Sequence, residues 1–300
     1  RQSYGMLTIG HVPFLWVLLF YFMTGLWIWK KNGQNRHIRI SLAYVIMIIL
    51  IWIPMARRKS LAFLDVGQGD CFVADTKSGA IIFDGGSSSE DQVGRYRILP
   101  YMKYLGYQKI QIAVISHMDI DHYSGIKELL EMGKIKYLGL PEIPKDETMK
   151  KIIGIAKKRG TTIFYLSRGR QITTKDGSLK VLHPQKNSQM EKNAASLVMQ
   201  GKILGYRVLL TGDVEKEGEE ELLSEELERA DILKAAHHGS KNSTSNEFLQ
   251  KVQPKQTVIS CGKQNRYGHP HLETIHRLQT YRTKIYRTDR SGAIIFFKRR

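Results

Sequence analysis

The chain has 300 residues and carries 46 Lys and Arg against 28 Asp and Glu, a formal net charge of +18 at pH 7. That excess excludes a neutral surface and favours an anionic partner, nucleic acid or acidic lipid headgroups, while 42% hydrophobic and 25% charged residues exclude a disordered or fibrous chain. Two cysteines exclude a disulfide scaffold and a cysteine-based structural zinc site.

The first residue is Arg1, and we expect a longer N-terminal region to precede it. Residues 1–59 hold eight Lys and Arg and no Asp or Glu. Removing those eight from the 46 leaves 38 basic residues against 28 acidic ones in residues 60–300, a net of +10. Residues 7–29, LTIGHVPFLWVLLFYFMTGLWIW, carry no charged side chain. As a helix they span roughly 35 Å, enough for a bilayer core of about 30 Å. Residues 40–55, ISLAYVIMIILIWIPM, form a second apolar run, and Trp27, Trp29 and Trp52 sit near run ends, where indoles favour the interface. The pattern predicts a transmembrane helical hairpin over residues 1–59 and a separate domain over 60–300. The linker KKNGQNRHIR has four Lys and Arg and the following ARRK three, which places the linker in the cytoplasm and the C-terminal domain outside.

From Leu61 the pattern becomes short apolar runs broken by Gly and Asp. LAFLDV, CFVADT, AIIFDGG, IQIAVISH, YRVLLTGD, ADILKAAH, QTVISC and GAIIFFK all read as strands. Helical spacing appears over 124–132, 147–159 with Gly160 as a C-cap, 215–229 and 271–281. The prediction is a layered α+β domain. Cys71 and Cys261 both read as buried small hydrophobes.

The histidines cluster. His117 and His122 share the stretch S-H-M-D-I-D-H with Asp119 and Asp121, directly after a predicted strand. Two carboxylates and two imidazoles within six residues make a poor core segment, because unpaired carboxylates are costly to bury. They suit one or two divalent ions of borderline to hard character. Asp213 ends the strand YRVLLTGD, where its two oxygens can bridge two ions. His237 and His238 follow ADILKAA, and alternation along a strand turns one inward and the other outward. Asp84, at the end of AIIFD, suits the outer N–H of a ligand histidine.

These segments resemble the metallo-β-lactamase superfamily: H-x-D-x-D-H is similar to its H-x-H-x-D-H metal motif, with Asp119 where a histidine usually stands. F-L-D-V-G-Q-G-D (63–70), S-H-x-D-x-D-H, L-L-T-G-D, L-K-x-x-H-H-G-S and Y-G-H-P-H (267–271), taken in order, resemble the C-terminal domain of the ComEC family of bacterial DNA-uptake channels. The resemblance implies an αββα sandwich, a metal site of His117, Asp119, Asp121, His122, Asp213 and one of His237 and His238, and degradation of the DNA strand left outside. The chain departs from the pattern twice. Tyr123-Ser124-Gly125 stands where two glycines are usual, and N-A-A-S-L-V (193–198) where other superfamily members supply a third histidine. Asn193 or Ser196 offers only a weak ligand there, which favours Mn²⁺ over tightly held Zn²⁺.

The implied chemistry is hydrolysis of a phosphodiester by water activated at one or two metal ions, Mn²⁺ or Zn²⁺. Asp121 or Asp213 orients that water. Lys234, Ser240, Lys241 and His269 are candidates to hold phosphate, and His269 to protonate the leaving oxygen. The expected partners are DNA, single-stranded or duplex, the membrane and other DNA-uptake proteins, with phosphate neutralisation by the basic domain providing non-specific affinity. Two alternatives stand beside this: a metallohydrolase of a small ester or phosphodiester, and a non-catalytic DNA-binding part of the channel.

Overall fold

A computed structural model describes residues 10–29, 41–46, 58–190, 193–225 and 227–299. These fall into two compact units, one taking in the N-terminal helix together with Lys103–Gln108, the other comprising Arg58–Met102 and Lys109–Arg300.

In the first unit, helix α1 covers Phe14–Trp29, sixteen residues with none buried. It starts directly after Pro13, which has no N–H to leave unpaired at a helix start. Its length is about 24 Å at 1.5 Å per residue. Among the described residues no helix is long and apolar enough to cross a membrane. The first expected span is therefore helical only from Phe14, with residues 7–9 outside the described residues. Of the second, residues 41–46 are helical, while 40 and 47–55 lie outside the described residues.

The second unit is built on two seven-stranded sheets. Sheet one runs β14 (Ile294–Phe297), β1 (Ser60–Phe63), β2 (Phe72–Thr76), β3 (Gly79–Phe83), β4 (Ile110–Val114), β5 (Ile135–Pro141), β6 (Thr162–Leu166). Sheet two runs β13 (Lys284–Arg287), β12 (Gln256–Ile259), β11 (Ile232–Lys234), β10 (Tyr206–Leu210), β9 (Val198–Ile203), β8 (Gly177–His183), β7 (Gln171–Thr174). Both sheets follow one plan. Strands pair antiparallel from β14 to β3 and from β7 to β10, then parallel from β3 to β6 and from β10 to β13.

The inner faces of the sheets meet in a core that includes Phe63, Phe72, Phe83 and Val114 from sheet one and Met199, Val208, Leu210 and Val258 from sheet two. Each large side chain so buried contributes about 1.5–3 kcal/mol. Helices cover the other faces. Beside sheet one, α2 (Ile120–Glu131) buries Ile126, Leu129 and Leu130, and α3 (Glu147–Lys158) buries Met149, Ile152 and Ala156. Beside sheet two, α4 (Lys216–Leu223), α5 (Asn246–Val252) and α6 (Leu272–Thr280) place Leu222, Phe248, Leu249, Val252 and Leu278 against Leu209, Leu233 and Ile259. The expected αββα layering is what forms. Gly160 follows α3 at φ +70°, the left-handed geometry that the expected C-cap requires.

Three local expectations are corrected. Six of the strands, β5 to β9 and β13, were not expected from the sequence. The edge strands β7 (QITT) and β13 (KIYR) are polar enough to lose the apolar signal, Lys or Gly interrupts β5, β8 and β9, and β6 (TIFYL) is an apolar edge strand that was overlooked. Helix α2 starts at Ile120 rather than 124, with Asp119 as N-cap, so Asp121 and His122 sit in a helical first turn. His237 and His238 are not on a strand: β11 ends at Lys234, and both histidines adopt left-handed backbone, φ +47° and +53°. Both cysteines are free and buried.

Candidate metal centre

The ends of β3, β4, β10 and β11 bring their following turns together on one side of the sandwich, the usual location of sites in sheets with parallel strands. The turn after β3 supplies Asp84, that after β4 His117, the start of α2 Asp121 and His122, that after β10 Asp213, and that after β11 His238. Close backbone approach fixes these turns relative to each other. Asp70 N–H donates to the Asp121 carbonyl at 3.0 Å, Gly85 N–H to the His122 carbonyl at 2.8 Å, and Gly86 N–H to the Asp70 carbonyl at 3.1 Å. A Cβ on Gly86 would lie 2.5 Å from the Ile120 carbonyl oxygen, so only glycine fits the D-G-G turn here.

His122 is the hub. Its Nε2 lies 3.1 Å from Asp213 Oδ2 and its Nδ1 3.0 Å from Asp84 Oδ2. Asp84 is locked in turn by Ser116, whose N–H donates at 2.7 Å and whose hydroxyl donates at 2.8 Å. His238 Nε2 is 3.4 Å from both Asp121 Oδ2 and Asp213 Oδ2, and its Nδ1 donates to the Ser260 carbonyl at 2.9 Å. Potential ligand atoms of His117, His122 and Asp213 lie within 4.8 Å of one another, as do those of Asp121, His122 and His238.

The remaining expected residues are placed less centrally. Asp119 is 37% exposed, with Oδ2 3.8 Å from His117 Nε2. His237 is the outward member of its pair, its Nδ1 2.9 Å from Glu215 Oε1 and its Nε2 3.8 Å from Asp213 Oδ2. His269 lines the cleft over the centre, which has a volume of about 240 Å³ and is also lined by Asp121, Asp213, Gln68 and Tyr267. Lys234 and Ser240, expected to hold phosphate, are instead buried. The Lys234 ammonium donates to the Gly212 carbonyl at 2.9 Å, lies 3.4 Å from Asp213 Oδ1 and touches Asp70 Oδ2. Ser240 accepts from Asn242 N–H at 3.3 Å, and its carbonyl from the Thr274 hydroxyl at 2.8 Å, so it shapes the turn before α5. Lys241 lines a neighbouring cavity of about 760 Å³ with Arg277 and Glu215.

Asp70 belongs to the centre and was not singled out from the sequence. It lies in the quoted F-L-D-V-G-Q-G-D motif, and the signal was a carboxylate placed directly after a G-x-G turn. Ser196 stands beside His117 with its hydroxyl 3.3 Å from Nδ1 and also accepts from Asp213 N–H at 3.3 Å. It therefore positions two candidate ligands. Asn193 accepts from Ser196 N–H through its carbonyl at 3.0 Å.

The charges of the cluster hold one another. Burial works against ionisation, but Asp213 and Asp84 keep His122 well above the ordinary histidine range, and Asp213 and Asp70 do the same for His238. Against the same burial, His122, His238 and Lys234 hold Asp213 well below the usual carboxylate range. His117 behaves oppositely: burial, with the neighbouring His122, pushes it down to about 3. Burial, with His238, His237 and His271, takes His269 to about 4, so it is a neutral imidazole at pH 7.

The residues fit a divalent metal. Nε2 of His117, His122 and His238 is buried and makes no hydrogen bond among the described residues, although all three face carboxylates. A histidine Nε2 aimed at a carboxylate cluster with Nδ1 held by a polar partner is the arrangement of a metal ligand: Asp84 holds Nδ1 of His122, the Ser260 carbonyl that of His238, and the Ser116 and Ser196 hydroxyls that of His117. The donors are nitrogen and carboxylate oxygen without thiolate, which suits borderline to hard ions.

Residues 64–263 match the family described as the metallo-β-lactamase superfamily. The chain belongs to this superfamily. It is 35% identical over 285 residues to ComE operon protein 3 of Bacillus subtilis, covering 88% of this chain and 36% of that protein. It is 30% identical over 242 residues to Competence protein ComA of Neisseria gonorrhoeae, covering 77% of this chain and 31% of that protein. The chain thus spans about a third of the length of the curated relatives it matches. Among solved structures it resembles the metallo-β-lactamase fold protein YhfI of Bacillus subtilis, with a TM-score of 0.53 at 13% identity over 79% of this chain and 99% of that one.

Proposed function

We propose that this chain is the metal-dependent nuclease part of a membrane DNA-uptake protein, hydrolysing phosphodiester bonds of the strand that is not imported. The observation that carries this reading is the convergence of Asp121, Asp213 and His238 on the lining of a cleft, with the buried His122 within ligand reach of them. Membership of the metallo-β-lactamase superfamily supports metal-dependent hydrolysis, and relatives named for competence support DNA as the substrate. The net +10 of residues 60–300 supports a polyanionic substrate over a small ester.

Asp121, His122, His238 and Asp213 would hold one ion, Mn²⁺ or Zn²⁺, and His117 with Asp119 and Asp213 a second. A divalent ion there supplies a Lewis acid that offsets charge on the phosphate oxygens. Asp121 is 16% exposed on the cleft side, where it can accept a hydrogen bond from the attacking water and orient it. Asp84 fixes His122 through Nδ1, and Ser116 fixes Asp84. His269, neutral at the rim, donates a hydrogen bond to substrate rather than presenting a positive charge. We assign residues 7–29 and 40–55 to a membrane hairpin that leaves residues 60–300 outside the cell membrane, beside other DNA-uptake proteins. The apolar α1, with no buried side chain, supports that assignment.

Ser196 in place of a third histidine favours a second reading, a non-catalytic DNA-binding part of the channel. One experiment separates the two. The chain, purified in mild detergent, is incubated with labelled single-stranded and duplex DNA in Mn²⁺, Zn²⁺, Mg²⁺ or chelator. Cleavage that needs a divalent ion and ignores sequence is expected. DNA binding without cleavage in any of the ions would leave the non-catalytic reading.

A further inference from the structure

Lys234 differs from every other described lysine and arginine in being buried, with 4% of its surface exposed. It reaches under the centre from the end of β11, and its ammonium has three oxygen neighbours: the Gly212 carbonyl at 2.9 Å, Asp213 Oδ1 at 3.4 Å and Asp70 Oδ2 in contact. Asp70 also faces Nδ1 of His238 at 3.5 Å and Nδ1 of His122 at 3.7 Å. The cluster therefore combines three carboxylates with at most 4% exposure, Asp70, Asp84 and Asp213, with one permanent cation. Buried carboxylates without a partner are strongly destabilising, and an ammonium at contact distance offsets that cost. Asp213 is divided between two neighbourhoods. Oδ1 faces Lys234, and Oδ2 faces His122 and His238, where the metal position lies. A metal ion and the ammonium would share this one carboxylate, and their like charges repel across it.

We propose that Lys234 is a built-in counter-cation of the centre. It holds Asp70 and Asp213 in place when no metal is bound, and it weakens metal binding by competing for the same carboxylates, so the ion stays exchangeable. This rests on the metal-centre reading above. A lysine that only propped up the fold would, on removal, lower stability and metal affinity together. A counter-cation has effects of opposite sign: without it the metal-free fold weakens, while a divalent ion finds the carboxylates less compensated and binds more tightly.

The test compares the purified full chain with its Lys234→Gln variant, both stripped by chelator and then titrated with Mn²⁺ and, separately, Zn²⁺. Affinity is measured by calorimetry and stability by thermal unfolding. The expected result is metal binding at least tenfold tighter in Lys234→Gln, a lower metal-free Tm and a larger metal-induced rise in Tm. If the variant folds only in the presence of metal, unfolding on chelation, which the wild type survives, is the same result in stronger form. Unchanged or weaker metal binding in the variant overturns the proposal, as does a variant that fails to fold even with Mn²⁺ present. Failure of the underlying reading looks different: neither ion would then bind the wild-type chain or raise its Tm.

Discussion

Asp84 and His122 form a buried pair, with the carboxylate Oδ2 3.0 Å from the imidazole Nδ1 and both side chains fully excluded from solvent. Two further hydrogen bonds from Ser116 hold the carboxylate still. The pair fixes the ring so that Nε2 points to Asp213, and a proton held on Nδ1 would leave Nε2 as the nitrogen to lose its proton and bind an ion. Asp84→Asn keeps the shape and removes the charge that holds that tautomer. Metal affinity is expected to fall about 10–100-fold, with cleavage reduced at limiting metal and largely restored at saturation. Equal affinity of the two proteins in a Mn²⁺ titration would show that the pair does not orient a ligand.

Asp121 is expected to separate binding from chemistry. Asp121→Ala removes a metal-ligand candidate and the group placed to orient water, so cleavage should be lost. DNA binding should persist or tighten, since one negative charge leaves a cleft that must accept phosphate. Lys241→Gln should behave in the opposite way, retaining cleavage at saturating DNA but weakening binding and lowering the salt slope by about 1. Binding isotherms at several salt concentrations, beside single-turnover cleavage, distinguish the two. Loss of binding in Asp121→Ala would contradict the assignment.

Two glycines offer a paired test of packing. A Cβ on Gly86 would meet the Ile120 carbonyl oxygen at 2.5 Å and the His122 backbone nitrogen at 2.6 Å, both backbone atoms of the turn that carries the candidate ligands Asp121 and His122. Gly86→Ala should cost about 1–3 kcal/mol and weaken metal binding as the turn shifts. Gly154, exposed within α3, has nothing within 4 Å of its Cβ position. Gly154→Ala should stabilise the fold by about 0.5–1 kcal/mol with metal binding unchanged. Urea unfolding with and without metal checks both, and similar effects at the two sites would refute the close approach at Gly86.

His269 makes stability depend on pH with a definite sign. Burial and its histidine neighbours hold it at about 4 in the fold, whereas an unfolded chain takes up that proton near 6.5. Between these values the unfolded state binds more protons, so the contribution from His269 is present above about pH 6.5 and is lost as pH falls towards 4. His269→Gln cannot titrate. Between about pH 7 and 5 the wild type should therefore lose more Tm than the variant. Parallel Tm profiles would mean that His269 is not held neutral.

Much of this protein was legible from residue order. The apolar runs at 61–66, 71–76, 80–83, 110–116 and 206–210 marked strands because their residues are covered on both faces, and continuous burial leaves a continuous apolar signal. H-x-D-x-D-H, G-D and H-H-G-S each end or follow such a run, so the candidate ligands other than Asp70 could be named from strand ends. β7 and β13 were not legible, since an edge strand keeps polar residues and loses the pattern, as QITT and KIYR do.

What tertiary structure decided was how the side chains of the centre meet across the chain, as Asp70 and His238 do from 168 positions apart. Sequence order named Lys234 and Lys241 as equals; the fold buries the first between Asp70 and Asp213 and leaves the second beside a different cavity. It also turns His238 into the buried carboxylate cluster and leaves His237 outward, through a left-handed turn that strand alternation does not describe. Local propensity and hydrophobic period depend on near neighbours in the chain, and these the sequence determined by itself. The partners of a buried charge lie on other strands, and only the packing of the two sheets brings them within reach.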